Sequence, residues 1–193
     1  MGCDIHVAIE KRLEKNLTKN IWYPCNKFIV SKRDCLEGKE DPEIYLETTQ
    51  IGFRNYNLFG KLAGVRSCEQ PFVEPRGLPE DCQKYIREYY EKNKQDCIFH
   101  TPTWYSLKEL IDFVDKMNIS LSYKDFESDI DFKAYVEEER MLKRTCETFL
   151  NDIFDYLIEN DFCIFDENSG LTKSQYIYKH YAEDFRIILW FDN

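Results

Sequence analysis

Residues 3–12, "CDIHVAIEKR", alternate in character: Ile5, Val7 and Ile9 interleave with Asp4, His6, Ala8 and Glu10. A period of two is the signature of a strand that buries one face. Much later in the chain, "FRIILWFDN" (185–193) is strongly β-like and apolar, which predicts a well-buried strand. Paired with the first stretch, it would close the fold. "IWYPCNKFIVSK" (21–32) resumes β-like character, so residues 3–31 read as a hairpin or meander with Pro24 at an edge or a bulge. "IYLETTQI" (44–51) predicts one more short strand.

The middle of the chain switches to helical spacing. In "NYNLFGKLAGV" (55–65), Leu58, Phe59, Leu62 and Val65 mark a short helix. Pro79 suits the first turn of a helix through "EDCQKYIREYYEKNK" (80–94), with Tyr85, Ile86, Tyr89 and Tyr90 on its apolar face. "QDCIFHTPTWY" (95–105) reads as a short extended stretch and turn, which places His100 in a turn. Ser106 and Glu109 then form a capping box, S-x-x-E, at the start of the next helix. The longest helix is expected within residues 132–160. Strands at both ends with helices inserted between them predict an α+β chain. The expectation is a single domain over 1–193, with an antiparallel or mixed sheet formed by the N- and C-terminal strands.

Bulk composition narrows the function classes. The chain has 193 residues, 43% hydrophobic and 16% aromatic, enough for a proper core. Its formal charge is −10, against the net basic face that duplex nucleic acid demands, so duplex nucleic acid is not an expected partner. No apolar run approaches the 18 residues of a membrane span. The amino terminus lacks the regions of a signal peptide, which predicts a cytoplasmic protein. The 8 Cys include no C-x-x-C pair, so they are expected to be reduced and mostly buried.

Polar residues at the predicted element ends are the candidates for chemistry. Asp4 and His6, at i and i+2 of a strand, share one face. They are either a metal-ligand or acid–orienter pair, or polar punctuation at a sheet edge. His100 clusters with Thr101, Thr103 and Ser106 before the capped helix, where an anion would be favoured. Arg54, Arg66 and Arg76 each lie near an element end, where arginine clamps phosphate or carboxylate. An antiparallel last strand is expected to carry Asp192 toward Glu10 and Lys11 rather than Asp4.

The blocks "MGCDIH", "RNYNLFGKLAGVR", "PRGLPED", "HTPTWYSLKEL" and "RIILWFDN", in this order, resemble a family of proteins met mainly in bacteriophage and prophage genomes. Its members open with M-G-C-D-I-H and end in a strand finishing F-D-N. The resemblance spans the whole chain and carries no established activity with it. It falls on Asp4, His6, Arg54, Tyr56, Arg66, Arg76, His100, Thr103 and Trp104. Asn57 stands where the family has Asp, so a base at that position is lost here.

Polar signature blocks imply a pocket. The expected ligand is a small nucleotide-like or phosphorylated molecule, held by Arg54, Tyr56, Arg66, Arg76, Thr103 and Trp104. Two roles are open for Asp4, His6 and His100: together they would bind one divalent metal ion, or His6 and His100 would serve as acid and base in a hydrolase. The alternatives are a non-catalytic binder that sequesters a host nucleotide signal, and an acidic inhibitor of a host defence protein, the latter suggested by the −10 charge and the cluster Glu137-Glu138-Glu139. Any of these would act in the host cytoplasm if the chain is phage-encoded.

Overall fold

The computed structural model describes residues 3–13, 21–30, 36–38, 44–47, 51, 54–67, 70–95, 98–117 and 129–192. In chain order, the strands are β1 (Ile5–Arg12), β2 (Trp22–Pro24), β3 (Phe28–Val30), β4 (Ile44–Leu46), β5 (Phe99–Ser106) and β6 (Phe185–Asp192). The α-helices of the described residues are α1 (Tyr56–Ala63), α2 (Lys84–Gln95), α3 (Leu107–Asp115), α4 (Asp129–Glu159) and α5 (Lys173–His180). The fold is α+β. β2, β1, β6 and β5 lie side by side in that order in one antiparallel sheet, and β3 pairs with β4 as a separate ribbon.

β6 occupies an interior position and is buried from Phe185 through Phe191. Both its faces are covered, which is why "FRIILWF" shows no alternation. Ile187, Leu189 and Phe191 join Val7, Ile9 and Tyr105 in the larger core, together with Leu58 and Phe59 of α1, Leu110 of α3 and Phe149, Ile153 and Leu157 of α4. Ile188 and Trp190 face the other way, with Ala8, Phe99 and, from α2, Ile86 and Tyr90. The sheet is therefore sandwiched between a thick helical layer and a thin one.

Local chemistry sets the helix ends. Asn55 caps α1 by accepting from the Leu58 N–H at 3.0 Å, and Gly64 closes it in the left-handed conformation, φ 65°. The capping box forms as the sequence predicts: Ser106 accepts from the Glu109 N–H, and Glu109 accepts from the Ser106 N–H. α4 runs for 31 residues, about 46 Å at 1.5 Å per residue. Its face from Leu142 onward is core, while the turns before that project beyond it.

Two expectations are corrected. Pro79 does not open a helix; residues 79–82 form a turn, and α2 begins only at Lys84. The Gln83 N–H is taken by Glu10 Oε1 at 2.6 Å, a partner from the sheet, and the Gln83 side chain accepts from the Tyr85 N–H. Those two bonds fix the helix start. His100 lies in β5 rather than in a turn. The turn chemistry of "TP" appears instead as a bulge between His100 and Thr103, with Thr101 at φ 48°. No helix among the described residues is long and apolar enough to cross a membrane.

Candidate functional site

The opening "CDIH" sits where β1 starts and β6 ends. In an antiparallel ladder the start of one strand meets the end of its partner, so Ile5 pairs with Phe191 and Lys11 with Phe185. Asp192 accordingly lies at Asp4 and His6. The expectation that antiparallel pairing carries it to Glu10 and Lys11 had the direction reversed.

A chain of polar contacts follows. Asp192 Oδ1 accepts from the Asp4 N–H at 2.6 Å, and Asp192 Oδ2 lies 3.2 Å from His6 Nε2. The His6 ring stacks on Trp190 (6.0 Å between centroids, 5° between planes) and packs against Phe99 at 4.7 Å. The Asp4 carboxylate turns outward and accepts from Arg54 Nε at 2.8 Å and from a terminal nitrogen at 2.7 Å. That two-pronged pairing raises the Arg54 pKa, chiefly through the hydrogen bond to Asp4. Arg54 immediately precedes the Asn55 cap, so the strand end is tied to the start of α1. Cys3, fully buried beside them, has its thiol pKa pushed up by burial and next by Asp192, against the pull of a hydrogen-bonded Arg66.

Beyond this tie, a cleft of about 820 Å³ opens between the start of α1 and the projecting turns of α4. Asn55, Tyr56, Asn57, Arg66 and Ser67 form one wall. Tyr135, Glu138, Glu139, Met141, Leu142 and Thr145 form the other. Arg66 is set by a left-handed backbone, φ 56°, in the turn after α1.

Not all the expected site residues meet here. Tyr56 and Arg66 line the cleft, and Arg54 with Asp4 braces it. His100 points to the opposite face of the sheet from His6. It opposes Phe191 and stacks on it at 6.2 Å, whereas His6 opposes Trp190. The set Asp4, His6 and His100, expected to hold one divalent metal ion, therefore does not converge. Among the described residues no group of three His, Cys, Asp or Glu stands close enough to hold a metal ion. For the same reason His6 and His100 cannot work on one bond as acid and base.

Arg76, Thr103 and Trp104 lie elsewhere, on β5 and the segment packed against it. The Arg76 guanidinium is held by both Glu109 oxygens, at 3.0 and 3.1 Å, and lies 5.1 Å from the centre of the Trp104 ring. Thr103 is fully buried and accepts from the Arg76 N–H. Arg76 and Thr103 thus dock the "PRGLPED" segment onto the sheet, rather than clamping an anion in the cleft.

Sequence reading took Glu138 and Glu139 as an acidic face for a protein partner and missed Tyr135, so the α4 wall of the cleft was not recognised. Tyr135, Glu138 and Glu139 precede Leu142 by seven, four and three positions, so they continue the buried stripe of α4 past the core. That continuation was the available signal. Sequence reading also missed Asp192 as the link between Asp4 and His6. No family model, curated protein or solved structure matches this chain.

Proposed function

We propose that the cleft between α1 and α4 binds a nucleotide-like small molecule without turning it over. The carrying observation is the lining itself: the Arg66 cation and the Tyr56 and Tyr135 rings border one cleft of about 820 Å³, within the size range of ligand sites. Tyrosine rings offer faces for a base, and a guanidinium offers paired donors for a phosphate. Asn55 and Asn57 add amide groups for the polar edges of the ligand. The placement of His6 and His100 on opposite faces of the sheet favours binding over hydrolysis. Binding without turnover would act by sequestering the ligand, and a host nucleotide signal is the ligand of this class that we propose.

The test is calorimetry with a nucleotide panel, followed by chromatography of the ligand after long incubation. A ligand that binds one to one, is recovered intact and loses at least tenfold in affinity with Arg66→Ala or Tyr135→Ala supports the reading. Steady conversion of the ligand would sink the non-catalytic part. Undiminished binding by both variants would sink the cleft.

A further inference from the structure

We propose that the thinly covered face of the sheet carries a docking groove for a proline-rich peptide with a flanking basic residue. The groove, of about 610 Å³, is separate from the cleft between α1 and α4. It lies on the side of the sheet that carries Ile188 and Trp190, where Leu78 and Trp104 pack against the smaller core. Trp22 and Trp104 border it, and both are half-buried. They stand on the two edge strands of the order β2-β1-β6-β5. Three strand spacings separate those edges by roughly 14 Å. That is too wide for one small ring held between two indoles, and it suits an extended chain laid across both.

The cations of the groove are already paired. Arg76 is held by both Glu109 oxygens, and Arg186 by Glu10 and Asp81. Asp81 also accepts from the Trp22 indole at 2.9 Å. Neither lining arginine is therefore open to a phosphate. Two polar groups remain. The Trp104 indole N–H and the exposed Glu80 carboxylate have no hydrogen-bond partner among the described residues.

Those two groups define the ligand. A polyproline II chain has no internal hydrogen bonds, so its carbonyls take donors from a partner, and proline brings no N–H that would need an acceptor. An indole supplies a ring face and a donor together. Leu78 and Pro79 add apolar contact. Glu80 supplies a carboxylate for an arginine or lysine beside the prolines, and the chain's charge of −10 favours a basic partner in general. The protein shows the same chemistry within itself: Arg76 follows Pro75, and its guanidinium lies 5.1 Å from the centre of the Trp104 ring.

The experiment is fluorescence anisotropy of labelled peptides titrated with the full chain. The probes are hexaproline flanked by arginine at both ends, hexaproline flanked by glutamate, and a Gly-Ser peptide of equal length flanked by arginine. Six prolines reach about 19 Å, enough to cross the groove. The arginine-flanked hexaproline is expected to bind one to one and more tightly than either control. Trp104→Phe keeps a ring and removes the donor, and is expected to weaken that binding roughly threefold or more. Glu80→Gln disturbs no side-chain contact of the fold, and is expected to narrow the preference for arginine flanks roughly two- to fivefold. Circular dichroism confirms that both variants fold. No binding at about 1 mM peptide would overturn the proposal. So would equal binding of the Gly-Ser peptide, or binding that Trp104→Phe leaves unchanged. A preference for arginine flanks that Glu80→Gln leaves unchanged would overturn the basic residue. Sedimentation of the protein alone is the last check: a dimer that Trp104→Phe dissociates would assign the groove to a second copy of the chain and overturn the peptide.

Discussion

Replacing Glu10 by alanine is expected to destabilise the fold by about 4 kcal/mol, because it strands a buried guanidinium. Glu10 is fully buried on β1 and Arg186 is 3% exposed on β6. Arg186 Nε donates to Glu10 Oε2 at 2.5 Å, and a terminal nitrogen donates to Asp81 at 2.5 Å. The Trp22 ring lies 4.0 Å from the guanidinium carbon and shields it from water. Without Glu10, the cation keeps only the half-exposed Asp81 as an acidic partner, and the Gln83 N–H loses its acceptor. Breaking one side of a buried pair costs about 3–5 kcal/mol. At roughly 2–4 °C per kcal/mol for a chain of this size, the melting temperature falls by about 8–16 °C. The double change Glu10→Leu, Arg186→Met removes both charges and leaves mainly the Gln83 N–H unsatisfied, for a cost of about 1–3 kcal/mol. Urea unfolding followed by circular dichroism measures both. A single variant that loses less than about 1 kcal/mol, or a double variant at least as unstable as the single, would refute the reasoning.

Other expectations follow from the same geometry. Glu109 has its pKa lowered: burial raises it, and the bonds from Arg76 and Ser106 outweigh that. Its stabilisation is therefore complete above the ordinary value of 4.5 and is lost as the pH falls through the folded-state value, so the gap between wild type and Glu109→Gln should be widest near neutrality and shrink toward pH 3. Cys25 and Cys163 have thiol pKa values pushed up to about 12 by burial, so peptide mapping should find neither alkylated at pH 8 until urea unfolds the protein. Gly64→Ala should cost roughly 1–2 kcal/mol by backbone strain, since a Cβ there meets nothing closer than the Pro71 ring at 3.9 Å; a neutral change would refute the strain. Asp4→Ala should weaken ligand binding several-fold with little change in the urea midpoint, because it frees Arg54 at an exposed surface; an equal loss of stability would make Asp4 purely architectural.

The strands were legible because burial writes itself into sequence. β1 alternates since its two faces meet different surroundings, and β6 does not since both are covered. α1 was legible from the helical spacing of Leu58, Phe59 and Leu62, and α3 from its capping box. The start of α2 was not, because its decisive partner, Glu10, comes from another part of the chain. His100 looked like a turn residue for a related reason: "TP" signals a break, and the break is a bulge within a strand that the β6 ladder holds together. In the cleft, Tyr56 and Arg66 stood out in a signature block. Glu138 and Glu139 stood out only as an acidic helix face and Tyr135 not at all, because polar residues on a helix look alike whether they face solvent or a ligand.

The pairing of β1 with β6 also sets a timetable. Ile5 must wait for Phe191 before its strand is covered on that side. At about 5–20 residues per second, a ribosome needs roughly 10–40 s to deliver that partner. Throughout that interval Val7 and Ile9 have no sheet neighbour in β6, and α1, α3 and α4 emerge before the surface they pack against is complete. The helices can gather early, but the sheet is complete only once β6 has emerged. A nascent chain halted anywhere before residue 185 would leave the β6-facing edge of β1 without its partner, which is the kind of surface that chaperones hold and proteases clear.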